Sequence, residues 1–199
     1  LGGAAVFFYL QHPYSFLSDS NPELVELYQV VRDNVGDLIR MLRHYRNDEN
    51  YYDQVHLWNP AEPTALERVA RLIFANNIIL KDKAWRTASL ILQNAKVVVA
   101  DFEDAVSCAV ENDFVFFDPP CQLNEAATRL IAYSPERFDD LDDERLATTY
   151  QYLDNRGCYL MLRHFNTPLV RELYADFRIM RTQKVIGQGE STELIITNY

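Results

Sequence analysis

The chain has 199 residues, of which 48% are hydrophobic, 13% aromatic and 24% charged, the balance of a globular protein long enough for a full core. Nineteen basic residues against twenty-nine acidic ones leave a net charge of −10, which excludes a uniformly basic nucleic-acid coat and confines any DNA contact to a local patch. Three cysteines, Cys108, Cys121 and Cys158, form no CxxC pair and no even framework, and no apolar run approaches the roughly 18 residues that span a bilayer. A reducing cytoplasm, rather than secretion or a membrane, is the expectation. A chain that opens on Leu1-Gly2-Gly3 without an initiator Met is expected to lack preceding residues.

Leu1 to Phe8 reads as a glycine turn running into an apolar segment. Phe16-Leu17-Ser18 is a short strand ending at Asp19, and Asn21-Pro22-Glu23 supplies an N-cap, a first-turn proline and an N-terminal acid for a helix. Leu24, Leu27, Tyr28 and Val31 give that helix an apolar face, and Leu38, Ile39, Met41 and Leu42 mark a second helix after Gly36. Residues 47 to 63 read as a loop. Thr64-Ala65-Leu66-Glu67 is a capping box ahead of the stripe Leu66, Val69, Ala70, Ile73 and Phe74, and Trp85, Ala88, Ile91 and Leu92 form a further helix. Val97 to Ala100 and Phe114 to Phe117 are β-rich runs without polar alternation, expected to be strands covered on both faces, and they stop at Asp101 and Asp118. Tyr159 to Leu162 and Leu194 to Thr197 supply two more strands, with helices around Asp143 to Leu153 and Pro168 to Tyr174. This order predicts an α/β fold with a doubly wound sheet, carrying the helices between Asn21 and Asn94 as an insertion.

Three strand-like runs each end in an acid, Asp19, Asp101 and Asp118, and in an open α/β sheet ligands bind outside the carboxyl ends of the strands. An acid placed to bond ribose hydroxyls, with a glycine turn that lets backbone approach a ligand, points to an adenosine-containing cofactor. LGGAA lacks GxGxxG, and no GxxxxGK[ST] is present, so a cofactor without a pyrophosphate is favoured over NAD or a nucleotide phosphate. Each acid alone reads more often as a turn or cap residue. Asp118-Pro119-Pro120-Cys121 is the most informative tetrapeptide: two prolines after a hydrophobic strand remove two N–H donors and leave a rigid, acceptor-only turn suited to an amino group.

With these segments on the page, the chain resembles the Dam/DpnM group of DNA adenine-N6 methyltransferases over nearly its whole length. LGGAAVFF is similar to that group's FVGGGxxFF, Asp19-Ser20-Asn21-Pro22-Glu23-Leu24 to D-x-N-x-E-L, and Asp101-Phe102-Glu103 to the end of GDFE. Phe114 to Cys121 resembles FVYFDPPY, Thr192 to Tyr199 resembles TELLITNY, and Ala132-Tyr133 with Phe138 fits the segment after DPPY.

The resemblance implies methyl transfer from S-adenosylmethionine to N6 of adenine in a short duplex DNA site, after the target base has left the helix. It implies that Leu1, Gly2, Gly3, Ala4 and Ala5 pack against the methionine part of the cofactor, that Asp19 binds its ribose, and that Asp101 and Phe102 bind its adenine. Asp118 also borders the cofactor and, with the Pro119 carbonyl, holds N6 within the Asp118-Pro119-Pro120-Cys121 turn. It divides the chain into a catalytic domain, residues 1–29 and 95–199, and a helical target-recognition insertion, residues 30–94. A cognate restriction endonuclease is a possible functional partner, and no metal is assigned, since His12, His44, His56 and His164 lack ligand spacing.

The departures from the family pattern are specific. Cys121 stands where the family has the tyrosine that stacks on the flipped base. The N-terminal W-x-G-G-K segment is absent, and basic stretches are expected to be missing between Asn77 and Ile78 and between Val185 and Ile186. His164 follows a strand where the family has a Ser-Asn or Asn-His pair, so it is a candidate pocket residue. Cys108 and Cys158 read as small buried residues, the acids 139–144 as a solvated helix start, and Trp58 and Trp85 as anchors. Two readings stand beside the enzyme: a non-catalytic relative that binds cofactor and DNA or a partner protein, and an NPPY-type enzyme that methylates a protein amide, which Asp118 and TELIITNY disfavour.

Overall fold

The computed structural model describes residues 1–44, 63–76, 78, 80–120, 138–186 and 189–199. Cys121, Asn77, Trp58 and most of the loop read between 47 and 63 lie outside the described residues. The chain forms two compact units, Leu1–Val99 and Ala100–Tyr199.

In the first unit the glycine turn leads into a short helix α1 (Ala5–Leu10), strand β1 (Ser15–Asp19), helix α2 (Pro22–His44), helix α3 (Ala65–Ala75), helix α4 (Asp82–Leu92) and strand β2 (Ala95–Val99). Local chemistry sets these boundaries. Asn21 Oδ1 accepts from Glu23 N at 3.0 Å ahead of Pro22, and the Thr64 hydroxyl and Glu67 carboxylate cap each other's backbone at the start of α3. The two helical patterns either side of Gly36 belong to α2, which bends at Asn34 (φ −130°, ψ 26°) rather than stopping at the glycine. β1 and β2 pair in parallel, Ser15 opposite Ala95 and Asp19 opposite Val99. Val25, Val31, Leu38, Ile73, Trp85 and Leu92 form the core of the unit, each aliphatic side chain contributing about 1.5–3 kcal/mol of burial. Ala95 and Val97 are buried while Lys96 is exposed and Val98 only partly buried, so β2 alternates over these residues where both faces were expected to be covered, and Val99 at its end is exposed.

The second unit runs through helix α5 (Phe102–Val106), strand β3 (Phe114–Phe117), helix α6 (Asp140–Asn155), strand β4 (Tyr159–Phe165), helix α7 (Pro168–Leu173) and strands β5 (Arg178–Ile186) and β6 (Gly189–Thr197). Its sheet has the order β3-β4-β6-β5, with β3 parallel to β4 and the other two pairs antiparallel. The fold is therefore mixed α/β. Within the described residues its strands form two separate sheets, rather than the single sheet that the strand-and-helix order predicts.

β5 is absent from the sequence reading, and its register with β6 is unbroken through Val185 and Ile186. Leu146, Tyr150, Leu153, Leu160, Leu162, Val170, Leu194 and Ile196 fill the core of the unit. The TELIITNY ending contributes a structural staple: Asn198 accepts from Leu160 N at 2.8 Å and donates to Cys158 O at 2.8 Å and Asp154 Oδ1 at 2.7 Å.

Three single-residue readings change. Cys158 is buried but Cys108 is exposed. Asp139 caps α6 as a helix-start acid should, whereas Asp143 is buried, its Oδ1 2.9 Å from His164 Nε2. The ring N–H of His164 is turned away from that oxygen, so the contact is electrostatic rather than a formed hydrogen bond. His164 thus faces α6 inside the core. Burial raises the carboxyl of Asp143 above the usual range, with His164 opposing the rise.

Candidate functional site

In the first unit the structure brings Leu1, Gly2, Ala4 and Asp19 together around one turn. Ala4 N donates to Leu1 O at 2.8 Å, closing a turn in which Gly2 has φ 49° and Ala4 φ 46°, both left-handed. Asp19, at the carboxyl end of β1, faces this turn and opens the helix that follows, its Oδ1 accepting from Asn21 N at 2.9 Å. Tyr28, in the second turn of α2, donates its hydroxyl to Gly2 O at 2.8 Å. Burial, and then the nearby Asp19 charge, push the Tyr28 phenol up to about 12, so it remains a neutral donor. Gly3 faces open space, since a Cβ built there meets no atom within 4 Å. The result is a braced turn with an accessible backbone beside a partly buried carboxylate.

In the second unit, Asp101 ends the approach to α5 and caps it, Oδ1 accepting from Glu103 N at 3.0 Å. Arg145 of α6 bonds to Asp101 Oδ1 at 3.0 Å, Glu103 Oε2 at 2.9 Å and Asp142 Oδ1 at 2.9 Å, while its guanidinium lies 4.8 Å from the centre of the Phe102 ring. Phe138 packs near the same ring at 6.3 Å. Asp101 and Phe102 are thus fixed at the start of a helix, with one edge of each held by a single arginine.

Asp118 follows β3 directly, with Pro119 half-buried and Pro120 exposed behind it. Its Oδ1 lies 2.9 Å from Arg163 Nε. Burial raises the Asp118 carboxyl, Arg163 pulls it back down, and Glu193 raises it further. The fourth member of the tetrapeptide, Cys121, lies outside the described residues.

Tyr28, Arg145 and Arg163 were not singled out from sequence. Tyr28 carries only a core-stripe signal, and the two arginines gain their roles from pairings between elements that no local pattern announces. Among the described residues no group of three or more His, Cys, Asp or Glu could hold a metal ion, and no helix is long and apolar enough to cross a membrane.

A protein-family model described as D12 class N6 adenine-specific DNA methyltransferase matches residues 1–82 and 67–187. The type II methyltransferase M1.LlaDCHI of Lactococcus lactis subsp. cremoris is 29% identical over 239 aligned positions, covering 100% of this chain and 84% of the relative. The type II methyltransferase M.MjaIII of Methanocaldococcus jannaschii is 29% identical over 249 positions, covering 100% and 86%. A DNA N-6-adenine-methyltransferase of Escherichia phage P1 is 24% identical over 209 positions, covering 90% of this chain and 28% of the relative.

Proposed function

The chain belongs to the D12 class N6 adenine-specific DNA methyltransferases, and from that premise we propose how its own residues place a methyl group on adenine N6. The observation that carries the proposal is Asp118. It is a half-buried carboxylate at the carboxyl end of β3, followed by two prolines that offer carbonyls and no N–H.

S-adenosylmethionine, the donor such an enzyme uses, supplies an electrophilic methyl group when bound. The first unit has residues that fit it. The left-handed turn at Gly2, the open side of Gly3 and the Asp19 carboxylate form an accessible cradle braced by Tyr28. There Leu1, Gly2, Gly3, Ala4 and Ala5 would meet the methionine part and Asp19 the ribose hydroxyls. Phe102 would stack on the adenine and Asp101 accept from its amino group, both held in place by Arg145.

The target adenine has to leave the duplex for N6 to be reached in line. Asp118 and the Pro119 carbonyl then accept the two N6 hydrogens, which directs the nitrogen lone pair at the methyl group. The carboxylate also stabilises the positive charge that grows on N6 as the carbon–nitrogen bond forms and the sulfur–methyl bond breaks to leave a neutral thioether, and N6 then sheds one proton to solvent. The amine is itself the nucleophile, so no covalent enzyme intermediate is needed, and Cys121 takes the place of the base-stacking residue. Residues 30–94 serve as the target-recognition region. The names of the type II relatives support a restriction endonuclease as functional partner.

Transfer of labelled methyl from S-adenosylmethionine to unmethylated duplex DNA tests the reading. Wild type should yield N6-methyladenine, and Asp118→Ala should lose at least about 100-fold in rate at saturating cofactor. Undiminished transfer by Asp118→Ala would remove Asp118 from the mechanism. No transfer by wild type that still binds cofactor would make this chain a non-catalytic relative.

A further inference from the structure

The register of the second sheet sets an arginine beside the proposed catalytic carboxylate. β3 and β4 are parallel, with Phe117 opposite Leu162, so the next pair along is Asp118 and Arg163. Phe117 is buried on the α6 side, its ring 6.4 Å from Tyr150, and Leu162 is fully buried. Strand alternation turns the following residues to the opposite face. There Arg163 Nε meets Asp118 Oδ1 at 2.9 Å, with the carboxylate 25% and the guanidinium 42% exposed. Phe165, two residues along β4 from Arg163, stands opposite Glu193 on β6, so Glu193 shares this face on the other side of β4 from Asp118, and Arg178 of β5, opposite Thr197, shares it too.

We propose that Arg163 is a positioning residue for methyl transfer. It engages Oδ1 of Asp118, fixes the rotamer of the carboxylate and leaves Oδ2 directed at the exocyclic amine of the target adenine. The inference rests on Asp118 being the acceptor of N6. A single contact this exposed adds little to folding, because solvent screens it and ordering a long side chain costs entropy. Its consequence lies instead in geometry, since a small misplacement of a reacting group costs on the order of 100-fold in rate. A rate effect without a matching stability effect is therefore the expected signature.

The experiment is single-turnover methyl transfer by the full chain at saturating cofactor and DNA, comparing wild type, Arg163→Met and Arg163→Gln. Arg163→Met should lower the rate constant about 10- to 100-fold, with KM for DNA and cofactor within about 2-fold and Tm within about 2 °C. Arg163→Gln, which keeps an amide NH2 as donor, should recover part of the loss. Wild-type rates in both variants would overturn the proposal. So would a rise confined to KM for DNA, which would make Arg163 a phosphate contact. A faster Arg163→Met would also overturn it, showing that the ion pair restrains Asp118. If Arg163→Met fails to fold, Arg163→Gln carries the same rate criterion. Asp118→Ala in parallel separates the two readings: its full activity removes the Asp118 role, whereas its inactivity beside a fully active Arg163→Met removes only the role of Arg163.

Discussion

Ala4 holds φ 46° and ψ 34°, a left-handed conformation that costs an L-residue roughly 1 kcal/mol and that glycine adopts freely. Ala4→Gly should therefore raise stability by about 0.5–1 kcal/mol in chemical denaturation without altering the turn, the reverse of the usual alanine-over-glycine preference. Tyr28 works from the other side of the same turn. Tyr28→Phe leaves Gly2 O without its donor and should cost about 1–2 kcal/mol in the same measurement, with weaker cofactor binding by titration. Asp118 gives the pH dependence its sign. Burial first, and Glu193 after Arg163, set its folded carboxyl above the ordinary 3.8, so the folded state holds that proton more tightly than the unfolded chain. The protonated carboxyl thus favours folding below the ordinary value, and that contribution fades as pH rises through the folded one. Methyl transfer needs the ionised form, so the acid limb of the kcat/KM profile should fall at a pH above 3.8 and move higher still in Arg163→Met.

At the scale of elements, what the sequence discloses follows how local the determining forces are. α3 is legible because its capping box and apolar stripe lie within eleven residues, and Thr64→Ala should cost about 1 kcal/mol by thermal melting. β5 is not legible. Its Arg178, Met180, Arg181 and Thr182 are exposed on an edge strand, which blurs the period-two signal and leaves charges where an unpaired edge needs them. α5 spans five residues, too few for a helical period to register, and it exists because Asp101 caps it. The glycine turn, the acids ending β1 and β3, and the Asp118-Pro119-Pro120 run are legible because each is set by chain-local chemistry. The residues that brace them, Tyr28, Arg145 and Arg163, depend on register and packing. Asn198 shows a motif with more than one use: it joins β6, the start of β4 and the end of α6. Asn198→Ala should lose about 2–3 kcal/mol in urea unfolding, far more than a surface substitution.

For the whole molecule, alignment length bears on how this chain meets DNA. M1.LlaDCHI aligns over 239 positions to a chain of 199 residues, so 40 or more of those positions face gaps in this chain. The family match divides into two stretches that overlap at residues 67–82, the neighbourhood of Asn77 and Ile78 where a basic stretch is expected to be missing. A chain of net charge −10 without that stretch has few cations for phosphate, while the cofactor cradle and the Asp118 turn lie elsewhere in the sequence. Affinity for cofactor and affinity for DNA should therefore separate. Grafting the corresponding segment of M1.LlaDCHI between Asn77 and Ile78 should tighten duplex binding at least about 10-fold. It should also steepen the fall of log K with log salt by about 0.9 for each phosphate gained, and leave cofactor affinity unchanged. Fluorescence anisotropy at several salt concentrations reads both quantities. An unchanged salt slope would mean that this chain already makes its phosphate contacts with the basic residues of its helices, Arg71 and Arg86 among them, and that target recognition here does not depend on the family's basic stretch.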